Sequence, residues 1–244
     1  MSTTRILVWD IPTRVFHWLL AISFAGAYVT AESESWRLVH VTLGYSFAGL
    51  ILFRLVWGLI GTRHARFSDF AFGPKRVVAY LRSLLSRKPE HHVGHNPAGS
   101  LAIYAILLLG LGIGASGYAL YNDIGGEAFE EVHEVLGNLL LGIVVIHIAG
   151  VLISSFLHRE NLPRSMVTGY KDGEASQAIG GSRAIVGALL AAAVLGFWLN
   201  AFGIRDSLVG APVDVAAQEN GHGHDGGAAG RYADDDDDDD DDDD

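Results

Sequence analysis

The chain has 244 residues, of which half are hydrophobic and only 18% are charged. Its formal net charge of −11 comes from eleven consecutive aspartates at residues 234–244, because the remaining 17 acidic residues balance 17 basic ones. The absence of cysteine excludes disulfides, iron–sulfur clusters and thiolate chemistry, so any metal or haem ligand must be histidine, methionine or an oxygen.

Five apolar segments follow one another along the chain, at residues 15–31, 38–61, 100–121, 132–157 and 184–202. At about 1.5 Å per helical residue, each is about long enough to cross roughly 30 Å of hydrocarbon. The first segment lacks the small-residue cleavage site of a signal peptide, so we expect it to remain as a helix. The sequence therefore predicts an all-α integral membrane bundle: a four-helix core and a fifth, C-terminal transmembrane helix.

The connections between these segments carry their own signals. Residues 66–85 place apolar residues between bases at helical spacing, which predicts a short amphipathic helix on the membrane surface. Asn96 and Pro97 are typical of the N-cap and first residue of the third segment's helix. We expect three parts: a membrane domain over residues 1–169, a linker and fifth helix over 170–203, and a disordered acidic tail over 204–244.

Loop charges predict how the helices are oriented. The loops after the second and fourth segments carry seven and four basic residues, whereas the other two connections carry one arginine between them. Because lysine and arginine accumulate in cytoplasmic loops, we expect a cytoplasmic N-terminus and a periplasmic C-terminus in a bacterial inner membrane.

Four histidines lie within the predicted membrane helices. His133 and His147 are 14 residues apart, which places them on nearly the same helix face, about 21 Å apart along the axis. His40 matches the depth of His133 in the outer leaflet, and His17 matches that of His147 in the inner leaflet. Two stacked pairs suit the axial ligands of two haems b. Hydrogen-bonded packing is the alternative for each histidine alone.

Neighbouring residues agree with haem binding. Gly44 and Gly137 lie one turn after the outer-leaflet histidines, where a missing side chain lets a flat macrocycle approach, although glycine is also common at helix contacts. Arg54 and Arg14 lie at the inner-leaflet depth and are predicted partners of haem propionates. Snorkelling to the interface is an equal alternative for Arg14. We expect the other histidines to be solvated in loops, helix ends or the tail: His64, His91, His92, His95, His158, His222 and His224.

Four stretches resemble the bacterial cytochrome b561 and Ni/Fe-hydrogenase cytochrome b family: WDIPTRVFHWLL, WRLVHVTLGYSFAGLILFRLVWG, GHNPAG and VHEVLGNLLLGIVVIHIAGVLISSFLHREN. The resemblance covers residues 5–169. Members are diheme b-type membrane cytochromes that exchange electrons with quinone, so the resemblance implies that His17, His40, His133 and His147 are the axial ligands. The fifth helix and the acidic tail depart from the four-helix form.

The expected function is electron transfer between the quinone pool and a periplasmic redox partner, such as a c-type cytochrome. Two bis-histidine haems leave no open coordination position for a substrate. One alternative is the membrane-anchor subunit of a hydrogenase or related dehydrogenase, and another is a superoxide-oxidising form. A rival of another class is a haem-free transporter or assembly scaffold. Lipid and quinone are expected contacts, and nucleic acid is not.

The eleven aspartates repel one another and cannot fold unaided. Three interpretations remain open for them: a solubilising or merely tolerated tail, weak divalent-cation binding together with His222 and His224, and electrostatic capture of a basic redox partner near the outer haem.

Overall fold

The computed structural model describes residues 4–85, 90 and 92–203, and the account that follows concerns those residues. The predicted disordered tail and His91 lie outside them. Seven α-helices run in chain order: α1 Ile11–Val29, α2 Arg37–Ile60, α3 Pro74–Leu85, α4 Pro97–Tyr121, α5 Gly126–His158, α6 Leu162–Thr168 and α7 Ala184–Ala201. Two strands are present, β1 Thr4–Leu7 and β2 Tyr170–Gly173. Short 3-10 helices cover Glu34–Trp36, Arg63–Ala65, Phe67–Asp69 and Ala175–Gln177.

The bundle is built from two helix pairs. α1 packs along α2, α4 packs along α5, and α2 joins the pairs by its contacts with α4. Within the described residues, contacts of α5 with α1 and α2 are sparse. The buried core lies where α2, α4 and α5 meet, and it contains Phe47, Ile51, Leu107 and Leu140.

Four helical stretches are long and apolar enough to cross a membrane: Glu34–Ile60, Pro97–Tyr121, Gly126–His158 and Ala184–Ala201. Large apolar side chains cover their outer faces, and Leu108, Ile146 and Leu189 are each exposed over more than 60% of their surface. Such faces suit lipid rather than water. These helices confirm the membrane bundle and the C-terminal transmembrane helix.

The first predicted segment is also a helix, but it is more polar than the other four. α1 has 19 residues and is not among the four apolar stretches. The reason is its first two turns, which contain Thr13, Arg14 and His17. Its contacts with α2 and α7 supply much of its packing.

At one end of the bundle, β1 and β2 form an antiparallel pair in which Thr4 lies opposite Gly173 and Leu7 opposite Tyr170. We call this the sheet end. The sequence predicted no strand here, because each strand is only four residues long and pairs with a segment that is distant in the chain. The sheet fixes the start of α1, since Trp9 and Val8 donate backbone hydrogen bonds to Gly169.

The predicted cap of α4 and the predicted amphipathic helix are both present, and the position of that helix on a membrane stays a prediction. The side chain of Asn96 accepts a hydrogen bond from the backbone N–H of Gly99 at 2.7 Å, so it caps α4 as expected. α3 forms within the predicted amphipathic stretch and packs on α4. Tyr80 is its buried anchor, with 1% of its surface exposed.

α5 begins at Gly126, six residues before the predicted apolar segment. The acidic stretch that was expected to be a connection is therefore helical. Glu127 lies in its first turn, where a carboxylate interacts favourably with the positive end of the helix dipole. The apolar pattern missed this turn because its side chains are polar.

Candidate functional site

His40 of α2 and His133 of α5 face each other at the end of the bundle away from the sheet. Their ring centroids are 6.2 Å apart, and the ring planes are inclined at 72°. Each histidine lies in the first two turns of its helix. Because α2 and α5 have only sparse contacts with each other, the two rings approach across the space between the helix pairs. The structure thus brings the predicted outer pair together.

Hydrogen bonds at Nδ1 orient both rings. His40 Nδ1 lies 2.8 Å from the carbonyl oxygen of Ala27 on α1. A carbonyl can only accept, so Nδ1 of His40 is the donor and its Nε2 carries the free lone pair. Ser116 Oγ of α4 donates to the carbonyl of Gly112 at 2.9 Å and therefore accepts from His133 Nδ1 at 2.9 Å. The tautomers follow from this network.

This arrangement fits a bis-histidine haem. An imidazole nitrogen binds a first-row metal at about 2 Å, so two rings on opposite sides of one iron have centroids roughly 6 Å apart. Metal-binding histidines usually donate their other ring N–H to a protein acceptor, which fixes the tautomer and raises the basicity of the ligand. His40 and His133 have this centroid separation, and each donates its Nδ1–H to a protein acceptor.

α4 contributes two residues that sequence reasoning missed. Ser116 supplies the acceptor for His133, and Gly117 supplies room for the same ring, because a Cβ at Gly117 would lie 3.0 Å from its Cε1 atom. The available signal was the run of small residues GASG within an otherwise bulky apolar segment. Only the packing of α4 on α5 shows what these small residues face.

The inner pair is placed less tightly. His17 of α1 and His147 of α5 are near enough for their charges to interact. The ring of His17 packs edge-on against that of Trp18, with centroids 5.1 Å apart. His17 Nδ1 is buried and has no hydrogen-bond partner among the described residues. The structure therefore brings these two histidines to the same region without joining their rings.

Gly44 and Gly137 both border open space. A Cβ built at either position would meet no atom within 4 Å. The protein itself does not require glycine at these two places. Their role at the predicted haem site therefore stays a prediction.

The two arginines differ in their surroundings. Arg54 is 3% exposed, and its guanidinium lies over the rings of Phe67 and Phe70 at 4.9 and 5.7 Å from their centroids. Its Nη1 atom is buried and has no partner among the described residues. Arg14 Nη1 donates to the carbonyl of Val167 at the end of α6. Arg14 thus has a protein partner at Nη1, but its Nε, like Arg54 Nη1, is buried without a partner among the described residues, so both arginines retain a donor for another group.

Two histidines expected to be solvated are packed in the protein, His64 buried and His95 half-buried with its Nδ1 atom fully covered, so that expectation was wrong for them. His64 is 5% exposed, and its ring nitrogens meet Asp69 Oδ2 at 3.0 Å and the Gln177 carbonyl at 2.8 Å. His95 lies between the rings of Trp9 and Phe70, with centroids 4.7 and 4.4 Å away. These loops fold over the sheet end, which sequence periodicity does not reveal.

Burial lowers the pKa of His95 to about 3, and the positive charge of Arg54 adds to the effect. Within the part of the chain that the structure describes, no three histidine or acidic side chains converge on a metal-sized position.

Comparison with known proteins gives a consistent result. The family model described as prokaryotic cytochrome b561 matches residues 8–169. A probable Ni/Fe-hydrogenase B-type cytochrome subunit of Azotobacter vinelandii is 26% identical over 215 residues, covering 69% of this chain and 89% of the relative. The corresponding probable subunits of Escherichia coli (hydrogenase 1) and Cupriavidus necator are 23% and 25% identical, covering 67% and 70% of this chain and 89% and 88% of the relatives. No solved structure matches the chain at a significant level.

Proposed function

Because this chain belongs to the prokaryotic cytochrome b561 family, we propose that it carries electrons through two haems b, between quinone and a redox partner outside the membrane. The observation that supports this function best is the outer pair, His40 and His133, with ring centroids 6.2 Å apart and both Nδ1 atoms in hydrogen bonds. Haem, when bound, supplies a one-electron carrier.

The chain's own residues orient and insulate the haems. His40 and His133 would ligate the outer haem, with Ala27 and Ser116 holding the ring orientations. His17 and His147 would ligate the inner haem. Two histidines on each iron leave no position for oxygen or substrate, so the protein sets potentials and orientation rather than catalysing chemistry at the metal.

We further propose that the protein lies in the bacterial inner membrane with the sheet end in the cytoplasm. The basic residues Arg5, Arg63, Arg159 and Lys171 belong to this end, as the positive-inside rule requires. α1 then crosses beside α2, with Arg14 and its other polar residues at the cytoplasmic interface. The outer pair faces the periplasmic side, where a redox protein can approach.

The names of the relatives favour one partner over another. All three compared proteins are described as probable cytochrome subunits of Ni/Fe hydrogenases. A periplasmic hydrogenase or related dehydrogenase is therefore the better-supported partner, and a c-type cytochrome is the second. Quinone is the proposed exchange partner within the membrane. Family membership gives no support to a haem-free transporter.

The first test is haem stoichiometry. Protein purified in detergent and reduced with dithionite should show b-type absorbance, with two haems per chain. His133→Leu should lose the outer haem and keep most of the inner one, whereas His158→Leu, at the end of the same helix, should keep both. Wild-type protein without b-type absorbance would contradict the function, and a single haem would contradict the two-site arrangement.

The partner requires a separate test. Affinity purification from native membranes, without prior detergent washing at high salt, should recover a large metalloenzyme if the chain is a hydrogenase-type anchor. Rapid oxidation of the reduced protein by a c-type cytochrome, with no such enzyme recovered, would instead favour the second partner.

A further inference from the structure

His95 and Arg54 share one aromatic neighbour at the sheet end. The ring of Phe70 lies 4.4 Å from the His95 ring and 5.7 Å from Arg54 Cζ. Trp9 covers His95 at 4.7 Å, and Phe67 lies 4.9 Å from Arg54 Cζ. An imidazole and a guanidinium are thus held together inside an aromatic enclosure.

Both groups have a buried nitrogen without a partner. Within the described residues, Arg54 Nη1 and His95 Nδ1 make no hydrogen bond. A buried guanidinium is costly unless an anion pairs with it, and a buried polar nitrogen is costly unless it is hydrogen-bonded. The local structure therefore calls for an acceptor that carries negative charge.

The carboxylates nearby already have other partners. Asp10 accepts from the backbone of Thr13 at 2.8 Å, from Trp57 at 3.1 Å and from Thr62 at 2.7 Å. Asp69 contacts His64 at 3.0 Å. Glu160 pairs with Lys171 at 3.4 Å. Asp10 still attracts Arg54 through its charge, but it does not form an ion pair with it within 4 Å.

The position of this enclosure matches the depth of the inner histidine pair. Arg54 lies six residues before the end of α2 at Ile60, and His17 lies six residues after the start of α1 at Ile11. The sheet end holds both of these helix ends. The charge of His147 also reaches His95.

Resting on the proposed function, we propose that Arg54 and His95 together bind a propionate of the inner haem, and that His95 is the proton-exchanging group coupled to that haem's oxidation state. When bound, that haem would supply the one-electron centre, with quinol and the partner protein as electron donor and acceptor. His95 would donate its Nδ1–H to the propionate, so the negative charge added on reduction favours a second proton on the ring, at Nε2, taken from water. Oxidation releases that proton to water.

The titratable and charged groups that face His95 come from four elements. They are Arg54 of α2, His64 of the following loop, Lys171 of β2 and His147 of α5. Burial is the main reason that the pKa of His95 is lowered to about 3, and these four groups lower it further because each disfavours a protonated ring. A carboxylate beside the ring opposes them and moves its pKa back toward the physiological range.

The experiment is a redox titration of both haems in the purified full chain between about pH 5 and pH 8, where histidine ordinarily titrates. Because His133→Leu should keep only the inner haem, the midpoint potential that this variant retains belongs to the inner haem. The other wild-type potential then belongs to the outer haem. In wild-type protein the inner midpoint potential should become more negative as pH rises. His95→Gln should remove this slope, and His95→Phe, which preserves the stacking on Trp9 and Phe70, should do the same.

Two further variants separate the permanent charge of Arg54 from the proton exchange of His95. Arg54→Gln should make the inner potential more negative at every pH while keeping its slope, because a permanent charge is lost. His64→Gln should keep the wild-type slope, since both ring nitrogens of His64 already have partners. A wild-type inner potential that is independent of pH, or a slope retained in both His95 variants, would overturn the inference and leave the proposed function intact. Wild-type protein without haem would overturn the proposed function itself.

Discussion

At the residue scale, Gly137 offers a test of the predicted outer-haem site, because the protein itself leaves open space beside it. Gly137→Leu meets no protein atom near its Cβ, so we expect a small effect on folding but a large loss of the outer haem. Gly142→Leu, on the same helix and equally open, should retain both haems. The measurement is haem per chain from the reduced spectrum. Equal haem content in the two variants would contradict a role of Gly137 at the haem and favour a role in helix contact.

We expect Ser116 to tune His133, the proposed ligand of the outer haem, through one hydrogen bond. Ser116→Ala removes the acceptor of His133 Nδ1, so the imidazole becomes less basic and stabilises the ferric iron less. The outer midpoint potential should rise, and metal affinity should fall by roughly 10- to 100-fold, the usual effect of losing such a partner. Ser23→Ala, at a buried serine without a hydrogen-bond partner among the described residues, is the matched control. An unchanged outer potential in Ser116→Ala would refute this role.

At the element scale, Asp10 joins α1 to α2. Its carboxylate caps α1 and accepts from Trp57 and Thr62 while being 1% exposed. Asp10→Ala loses a cap worth about 1 kcal/mol and leaves buried donors unpaired at about 1–3 kcal/mol. The thermal unfolding midpoint in detergent should therefore fall by several degrees, corresponding to at least about 2 kcal/mol. Asp172→Ala, at an exposed residue of β2, should leave the midpoint nearly unchanged.

Helix positions were largely predictable at this scale, and helix ends were less so. Apolar runs of membrane-spanning length fixed α2, α4 and α7 closely, and Asn96 with Pro97 marked the start of α4. α5 extends beyond its apolar run because Glu127 and its neighbours suit a helix N-terminus. The β1–β2 pair was not predicted, since its hydrogen bonds join segments about 165 residues apart in the chain.

At the scale of the whole molecule, charge is concentrated at the C-terminus. Residues 234–244 lie outside the described part of the chain, and their predicted role as an electrostatic guide for a basic partner rests on sequence alone. Deleting them should slow electron exchange with a basic partner at low salt and change little at high salt, because the Debye length is only about 8 Å at physiological ionic strength. Equal second-order rates at low salt, measured by stopped flow with and without the tail, would leave the tail a solubilising segment.

The sequence by itself determined the class of the protein and the set of histidines. The length of an apolar segment is a local property of the sequence, so it can be measured without knowing which helices are neighbours. A separation of 14 residues places His133 and His147 on one helix face by helix geometry alone. The pairing of His40 with His133 was predicted from their depth in the membrane, because depth can be compared between all helices that cross the same bilayer.

Only the tertiary structure decided what surrounds these predicted ligands. The acceptors for His40 and His133 come from α1 and α4, and no local pattern tells which helix faces which ring. In the same way, His64 and His95 lie in polar loops that the sequence predicts to be hydrated, yet the folded sheet end buries His64 and the Nδ1 atom of His95. Burial depends on contacts between segments distant in the chain, and such contacts leave no periodic signal in the sequence.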